Sequence, residues 1–542
     1  MNHSQASRGR LVAVGIAAAA MTVMLWPHLG YVPLWDGDVY AACVMDAAFG
    51  GISVESLRCA GHPSQGWAAV LALPQLFSPG NIVLLHATNL VLGIVAVAAF
   101  RVVLDRVFPD KALARELDLV AIASAVHPVL LSTLLQPNID FGVYVFFFVA
   151  LAGLLTPGRT GTAVAIAGGT LAVFSKETGV VAYGFAVLAV LGIEVARAGI
   201  PFRSQLGAVA RRAAVLALPI VFFGAHVAWW NTTQTDAAIW KHGWQQSPAE
   251  GFKFFDLSDP VFVSYAAGLG VLGFMWVAWL PVAWDGLAGL ARMARRSATR
   301  VVAGADPRTL VAITVMTVGL TYVLTSFRTW SNLRYFALLY PLFLLLMYAS
   351  LHRLGARTRL RHAVLGVVIG LFVLASYRSV DPLSRVVYGT FDAGARTMYR
   401  MASITGEFDG PGRDQLVYNL EFAGYHHVQD ALYARMRPTA ATVIAAPRPV
   451  RWNIWSPLQA ATFRRTMRRD SVVTPVYGDE VDVATRRPAD AWFLEFSNRS
   501  YADKTLEMLL SRYRVTDSIV VVSHGQRLVA RHLVRQEAVV LP

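Results

Sequence analysis

The chain has 542 residues, of which 55% are hydrophobic and only 15% charged, and its mean hydropathy is +0.48. A soluble domain of that length cannot carry so apolar a composition on its surface, so the chain reads as a protein that crosses a bilayer several times. The formal net charge of +14 does not point to nucleic acid, because the arginines fall in short stretches between apolar runs rather than on one face.

The first apolar run, 10–27, follows Arg8 and Arg10, and its alanine-rich part lies at its centre rather than at a cleavage site. It is expected to be a retained anchor rather than a cleaved signal peptide. The stretch 28–63 comes next and contains YVPLWDGDVYAACVMDAAFGGISVESLRCAGHP, with Asp36 and Asp38 two residues apart, Asp46, Glu55, Arg58, His62 and both cysteines, Cys43 and Cys59. Ionisable groups beside a bilayer are a functional hypothesis by default, the plain alternative being that they mark the water interface. An oxidising compartment favours a Cys43–Cys59 bridge, and two buried thiols are the alternative.

The segment 64–78 is apolar but short and carries Pro74, which suits a helix lying in the interface. Further runs long enough to cross about 30 Å of hydrocarbon fall near 82–104, 118–135, 138–155, 161–175, 179–197, 213–230, 262–284, 309–327, 335–351 and 363–377, giving eleven spans with the first. With the amino terminus inside, the inner connections hold twenty Lys and Arg and the outer ones before residue 378 hold six, which obeys the positive-inside rule. The WDGDVY loop, the SKETG turn and the 231–261 loop then face outward. Beyond residue 377 the chain turns polar. LVYNLEF (416–422), ATVIAA (441–446), AWFLEF (491–496) and SIVVVS (518–523) have the pattern of strands, and ALYARM (431–436) and DKTLEMLLSRY (503–513) that of helices. The expected fold is therefore an α-helical polytopic membrane domain over 1–377 with a small extracytoplasmic α/β domain over 378–542.

Group transfer outside the cytoplasm has no nucleotide-activated donor to draw on and needs a lipid-linked one, whose phosphate sits at headgroup level. Such chemistry asks for a carboxylate to take the acceptor proton and for cations or a metal to steady the departing phosphate. Asp36 or Asp38 suits the first task, and Lys176, Arg58 and Arg334 suit the second. Each has a structural alternative: Lys176–Glu177 as an ion pair ending a span, Arg334 as a snorkelling side chain, and Asp140 as a helix cap. A buried histidine with a structural role is the plainer reading of His127.

Five motifs in order resemble the GT-C superfamily of integral-membrane glycosyltransferases, which includes protein O-mannosyltransferases, the TPR-linked O-mannosyltransferases and the lipid A aminoarabinose transferases. They are Asp36-Gly37-Asp38-Val39-Tyr40, His62-Pro63, HPVLLSTLLQPNID (127–140), LAVFSKETGVVAYG (171–184) and NLRYFALLYPLFLLL (332–346). The resemblance covers roughly 10–377. It implies inverting glycosyl transfer from a polyprenyl-phosphate sugar to a glycan, lipid or protein acceptor. Asp36 or Asp38 would be the base, and Tyr40, Arg58, His62, Lys176, Glu177, Arg334 and Tyr335 would bind donor and substrate, with Asp140 supporting them. Gly37 stands where many members have Glu, which leaves open which aspartate is the base. A divalent metal ion at Asp36 and Asp38 is the one cofactor the motif allows, although two acids alone are not a full oxygen cage. A glycan polymerase or ligase would place its chemistry in a larger late loop than 231–261, and a transporter would show paired broken spans. The alanine- and arginine-rich composition suits a bacterial inner membrane with the active face in the periplasm.

Overall fold

The computed structural model describes residues 3–59 apart from 32, 34 and 35, then 62–198, 202–233, 260–295, 302–326, 333–393 and 396–399, and in the carboxy-terminal part mainly 443–445, 476–478, 488–496, 506–523 and 526–536, with helical turns between 416 and 437. The helices are α1 (His3–Leu25), α2 (Asp36–Gly50), α3 (Gln65–Gln75), α4 (Ile82–Val107), α5 (Ala114–Ala125), α6 (Pro128–Leu135), α7 (Ile139–Leu155), α8 (Gly158–Val173), α9 (Glu177–Ala198), α10 (Phe202–Leu216), α11 (Leu218–Thr233), α12 (Pro260–Gly270), α13 (Met275–Ala294), α14 (Pro307–Ser326), α15 (Leu339–Arg353), α16 (Thr358–Tyr377) and α17 (Pro382–Tyr388).

The centre of the bundle is set by two helices that are apolar all round. α7, IDFGVYVFFFVALAGLL, is buried along nearly its whole length, and α15 is buried from Leu339 to Leu351. A helix with no polar stripe has no face to offer water and goes to the middle. α4, α8 and α9 pack against α7, α5 and α13 pack against α15, and α16 packs against α5. Glycines let α8 approach α7 closely: a Cβ on Gly153 or Gly168 would enter the neighbouring backbone.

Six helices are long and apolar enough to cross a membrane among the described residues, or up to eight if each of two bent pairs is one span. The expected count of eleven is not reached, for local reasons. His127-Pro128 splits the run 118–135 into α5 and α6, bent by 51°, because the residue before proline is pushed out of the helical region; His127 is extended, with ψ 126°. The run 262–284 breaks at Gly273 and Phe274, both left-handed with φ 65° and 67°. The runs 138–155, 161–175 and 335–351 form helices of 17, 16 and 15 residues, which are short for a full crossing.

The break before α13 is held by Asp381, which is fully buried. Its carboxylate accepts from the Phe274 amide at 2.9 Å and from Trp276 Nε1 at 3.0 Å, and it caps α17 at the Leu383 amide at 3.1 Å. The chain that leaves α16 is thereby fastened to the helical body. At the far end of α15 from Arg334, Glu116 receives Arg361 through two bonds of 2.7 and 2.8 Å and the Tyr348 hydroxyl at 2.8 Å. This bidentate pair joins α5, α15 and α16.

The carboxy-terminal sheet contains β3 (Val443–Ala445), β4 (Val476–Gly478), β5 (Asp490–Phe496), β6 (Tyr513–Ser523) and β7 (Gln526–Arg535) in the order β4-β3-β5-β7-β6, while β1 (Thr390–Ala393) and β2 (Arg396–Tyr399) form a separate antiparallel pair. β3 runs parallel to β4 and β5, and β7 runs antiparallel to both β5 and β6. The segment LVYNLEF, expected as a strand, is helical at its described residues 416, 417 and 420. β7 was not expected, since QRLVARHLVR carries too much charge to stand out as a buried strand; Arg531 and His532 pair with Glu495 and Asp490 of β5.

Candidate active site at the Asp140, Lys176 and Arg334 cluster

Three turns far apart in sequence meet at one end of the bundle. Asn138 opens α7 as its cap, accepting the Asp140 amide at 3.0 Å, and this leaves Asp140 in the first helical turn, only 5% exposed. Lys176 lies in the tight turn between α8 and α9. That turn closes because Gly179 presses on Ala172, where any Cβ would collide with backbone. Arg334 and Tyr335 sit in a short 3-10 turn, Leu333–Phe336, just ahead of α15.

Asp140 joins the three turns. Lys176 Nζ stands 2.7 Å from Asp140 Oδ1, and Arg334 Nε is 3.5 Å from Oδ2. The Lys176 ammonium also lies 3.9 Å from the centre of the Tyr335 ring, a cation-π arrangement. Burial works most strongly against the lysine charge, but Asp140, Tyr335 and Glu177 together override it and hold the ammonium pKa above the ordinary lysine range. Within the triad two cations face one acid, and the Glu177 carboxylate, next in sequence, also acts on Lys176.

A second pair flanks the first. His62 Nδ1 lies 3.1 and 3.2 Å from the two carboxylate oxygens of Glu177, the residue after Lys176. The segment carrying His62 is tied to the same turn by backbone, since the Gly66 amide donates to the Phe174 carbonyl at 2.7 Å. α3 is fixed by Trp67, which is fully buried against Gly142 and edge-on to Tyr40 at 6.1 Å. Burying a side chain of that size contributes about 2–3 kcal/mol. Tyr40 is itself buried. Arg58 lies over the Trp230 ring at 4.1 Å, and partial burial lowers its pKa while the nearby Glu177 raises it.

The acidic motif opens α2, with Asp36 and Asp38 in its first turn; their side chains lie outside the described residues. Their place is fixed by the glycine between them. A Cβ on Gly37 would lie 3.4 Å from the Pro137 carbonyl and 3.5 Å from Gln136, so the motif's backbone runs along the segment that leads to Asp140. Cys43 of α2 and Cys59 are joined by a disulfide with Cα atoms 5.6 Å apart, which ties α2 to the loop carrying Arg58 and His62.

The structure thus brings Asp140, Lys176, Arg334 and Tyr335 into one cluster, with His62 and Glu177 beside it. Sequence reasoning passed over Asn138, Trp67, His226 and Trp230. Asn138 had a usable signal, as a polar residue two before an acid at a helix start. The aromatic residues had none, because their partners are remote in sequence. His127 is fully buried between Tyr340 and Phe372, at ring distances of 4.2 and 4.7 Å. Among the described residues no three His, Cys, Asp or Glu gather in a way that could hold a metal ion, and Asp140 is already engaged by two cations.

No protein-family model matches the sequence, and no curated protein matches it. Solved structures do. The crystal structure of ArnT from Cupriavidus metallidurans bound to undecaprenyl phosphate matches with a TM-score of 0.51 and 14% identity, covering 96% of this chain and 97% of that one. The apo structure of the same ArnT also gives 0.51, at 13% identity over 96% and 97%. A looser likeness, with a TM-score of 0.43 and 12% identity over 93% of this chain and 69% of that one, is to the archaeal oligosaccharyltransferase AglB from Archaeoglobus fulgidus in complex with an inhibitory peptide and a dolichol-phosphate. At such low identity the likeness shows the fold alone: over nearly its whole length this chain shares the architecture of that ArnT structure.

Proposed function

We propose that the protein is a membrane glycosyltransferase that moves a sugar from a polyprenyl-phosphate donor to an acceptor outside the cytoplasm, with inversion at the anomeric carbon. The observation that carries this reading is the convergence of Lys176 and Arg334 on one buried carboxylate, beside the acidic opening of α2, in a fold shared with a protein crystallised with undecaprenyl phosphate. Charge asymmetry along the sequence supports this orientation, with basic loops inside and the cluster and carboxy-terminal sheet on the periplasmic side of a bacterial inner membrane.

In this reading the donor phosphate binds at Lys176. The ammonium has three donors, and Asp140 engages one of them. Arg334 adds positive potential from behind Asp140, and Tyr335 keeps the lysine head in place. An acceptor hydroxyl attacks the anomeric carbon as the bond from that carbon to the phosphate oxygen breaks. The hydroxyl proton passes to the carboxylate of Asp36, or of Asp38, and the bonding electron pair leaves with polyprenyl phosphate. The two cations stabilise the charge that grows on that leaving group. His62, oriented by Glu177, and Arg58 line the approach to the reacting carbon.

The test is incubation of the purified full-length protein with undecaprenyl-phosphate sugars and a cell-envelope extract, followed by mass spectrometry. Release of undecaprenyl phosphate coupled to sugar on an envelope component is expected. Movement of the lipid across a vesicle membrane without cleavage of the sugar bond would overturn the reading.

A further inference from the structure

Beside the Lys176 turn lies a second group of side chains that the phosphate chemistry does not use. Phe174, two residues before Lys176, contacts Phe223 and His226 of α11 at ring distances of 5.6 and 5.5 Å. His226 lies 5.9 Å from Trp229 and 5.9 Å from Trp230, and those two indoles meet edge-on at 5.9 Å. Arg58 covers Trp230 and is close enough to Glu177 to feel its charge. A continuous aromatic wall therefore runs from the phosphate cluster to an arginine and a carboxylate.

We infer that Trp229, Trp230, His226 and Arg58 form a saccharide subsite that takes the sugar ring of the lipid-linked donor, resting on the reading above that the donor phosphate binds at Lys176. A sugar offers apolar C–H faces that stack on aromatic rings and hydroxyls that seek charged or N–H partners. Both kinds of surface are present here, in the arrangement typical of small-ligand sites. Trp229 is 50% exposed and can receive a ring, whereas Trp230 is 7% exposed. The Trp230 indole Nε1 is enclosed and, among the described residues, bonded to no acceptor. Buried donors are nearly always paired, and a sugar oxygen arriving beside Arg58 would pair this one. A belt of lipid-facing tryptophans at the membrane interface would account for Trp229, but not for an enclosed Trp230 under an arginine.

The experiment measures binding of the full-length protein in nanodiscs to bare undecaprenyl phosphate and to undecaprenyl phosphate carrying glucose, mannose or 4-aminoarabinose. Trp229→Ala is expected to weaken the tightest sugar-bearing lipid about tenfold, the equivalent of one lost stacking contact, while bare undecaprenyl phosphate binds as before. Trp229→Phe should restore most of the loss. Equal weakening of bare and sugar-bearing lipid would overturn the subsite and mark Trp229 as a membrane anchor, and so would no weakening of either or no preference of the unaltered protein for any sugar-bearing lipid. Failure of the unaltered protein to bind any of the four lipids would instead overturn the donor reading itself.

Discussion

Lys176 Nζ and Asp140 Oδ1 lie 2.7 Å apart with both residues buried, and Arg334 approaches the other oxygen of the same carboxylate. Removing the acid from such a triad leaves two cations without compensation, which typically costs about 3–5 kcal/mol. Asp140→Ala is therefore expected to lower the thermal midpoint in detergent far more than Lys176→Met does. The double variant should be more stable than the sum of the two losses. Additive losses across this cycle would show that the pair is not coupled.

The aspartates that open α2 test the chemistry separately from the fold. Asp36→Asn and Asp38→Asn each keep the shape of the side chain and remove its charge. Loss of the general base is expected to cut transfer by about 10²–10⁴-fold, with insertion and expression unchanged. The variant with the larger loss identifies the base, and full activity in both would end the assignment.

The bridge between Cys43 and Cys59 closes a loop of 16 residues, which in the chain-entropy model contributes about 3 kcal/mol. Thiol reagents should label neither cysteine until the protein is reduced. Cys43→Ala should lower the thermal midpoint and also weaken transfer, because α2 and the loop of Arg58 and His62 lose their mutual tie. Labelling without reductant would remove the basis of this argument.

The site was legible in the sequence to the extent that single residues announce themselves. Asp140, Lys176 and Arg334 stand out as charges in apolar surroundings, and Gly179 marks the turn that carries Lys176. What they touch was less legible: that Arg334 reaches Asp140 rather than snorkelling to water depends on the packing of α7 against the 3-10 turn Leu333–Phe336, which no local pattern encodes. The span count departs from the helices described where a single residue overrides an apolar run. His127-Pro128 and the left-handed Gly273 and Phe274 each break one, and hydropathy averages straight across them. In the carboxy-terminal part β7 stayed hidden because Arg531 and His532 find their partners Glu495 and Asp490 on β5, a pairing visible only once the sheet is assembled.

Glycines separate tight turns from permissive helices. A Cβ at Gly179 would collide with the Ala172 backbone, whereas at Gly192, on the same helix, nothing lies within 4 Å. Gly179→Ala should displace the Lys176 turn, lower the thermal midpoint and weaken lipid-phosphate binding. Gly192→Ala should be neutral or stabilise by up to about 1 kcal/mol, as glycine is a poor helix former. Equal behaviour of the two variants in a melting experiment would show that the turn tolerates movement.

The pH response of Lys176 has a definite sign. Its pKa is raised in the folded protein because, although burial strongly disfavours the charge, Asp140 with Tyr335 and Glu177 outweighs that effect. A group with a raised folded pKa contributes its full stability below its unfolded pKa and loses it as pH climbs through the folded one. Stability owed to this lysine should therefore be constant across neutral pH, beginning to fall only above the ordinary lysine range. Melting curves of the unaltered protein and of Lys176→Met, compared from neutral to strongly alkaline pH, should stay a constant distance apart and then converge. Convergence that begins on the acid side of neutrality instead would mean that the lysine is not the charged partner of Asp140.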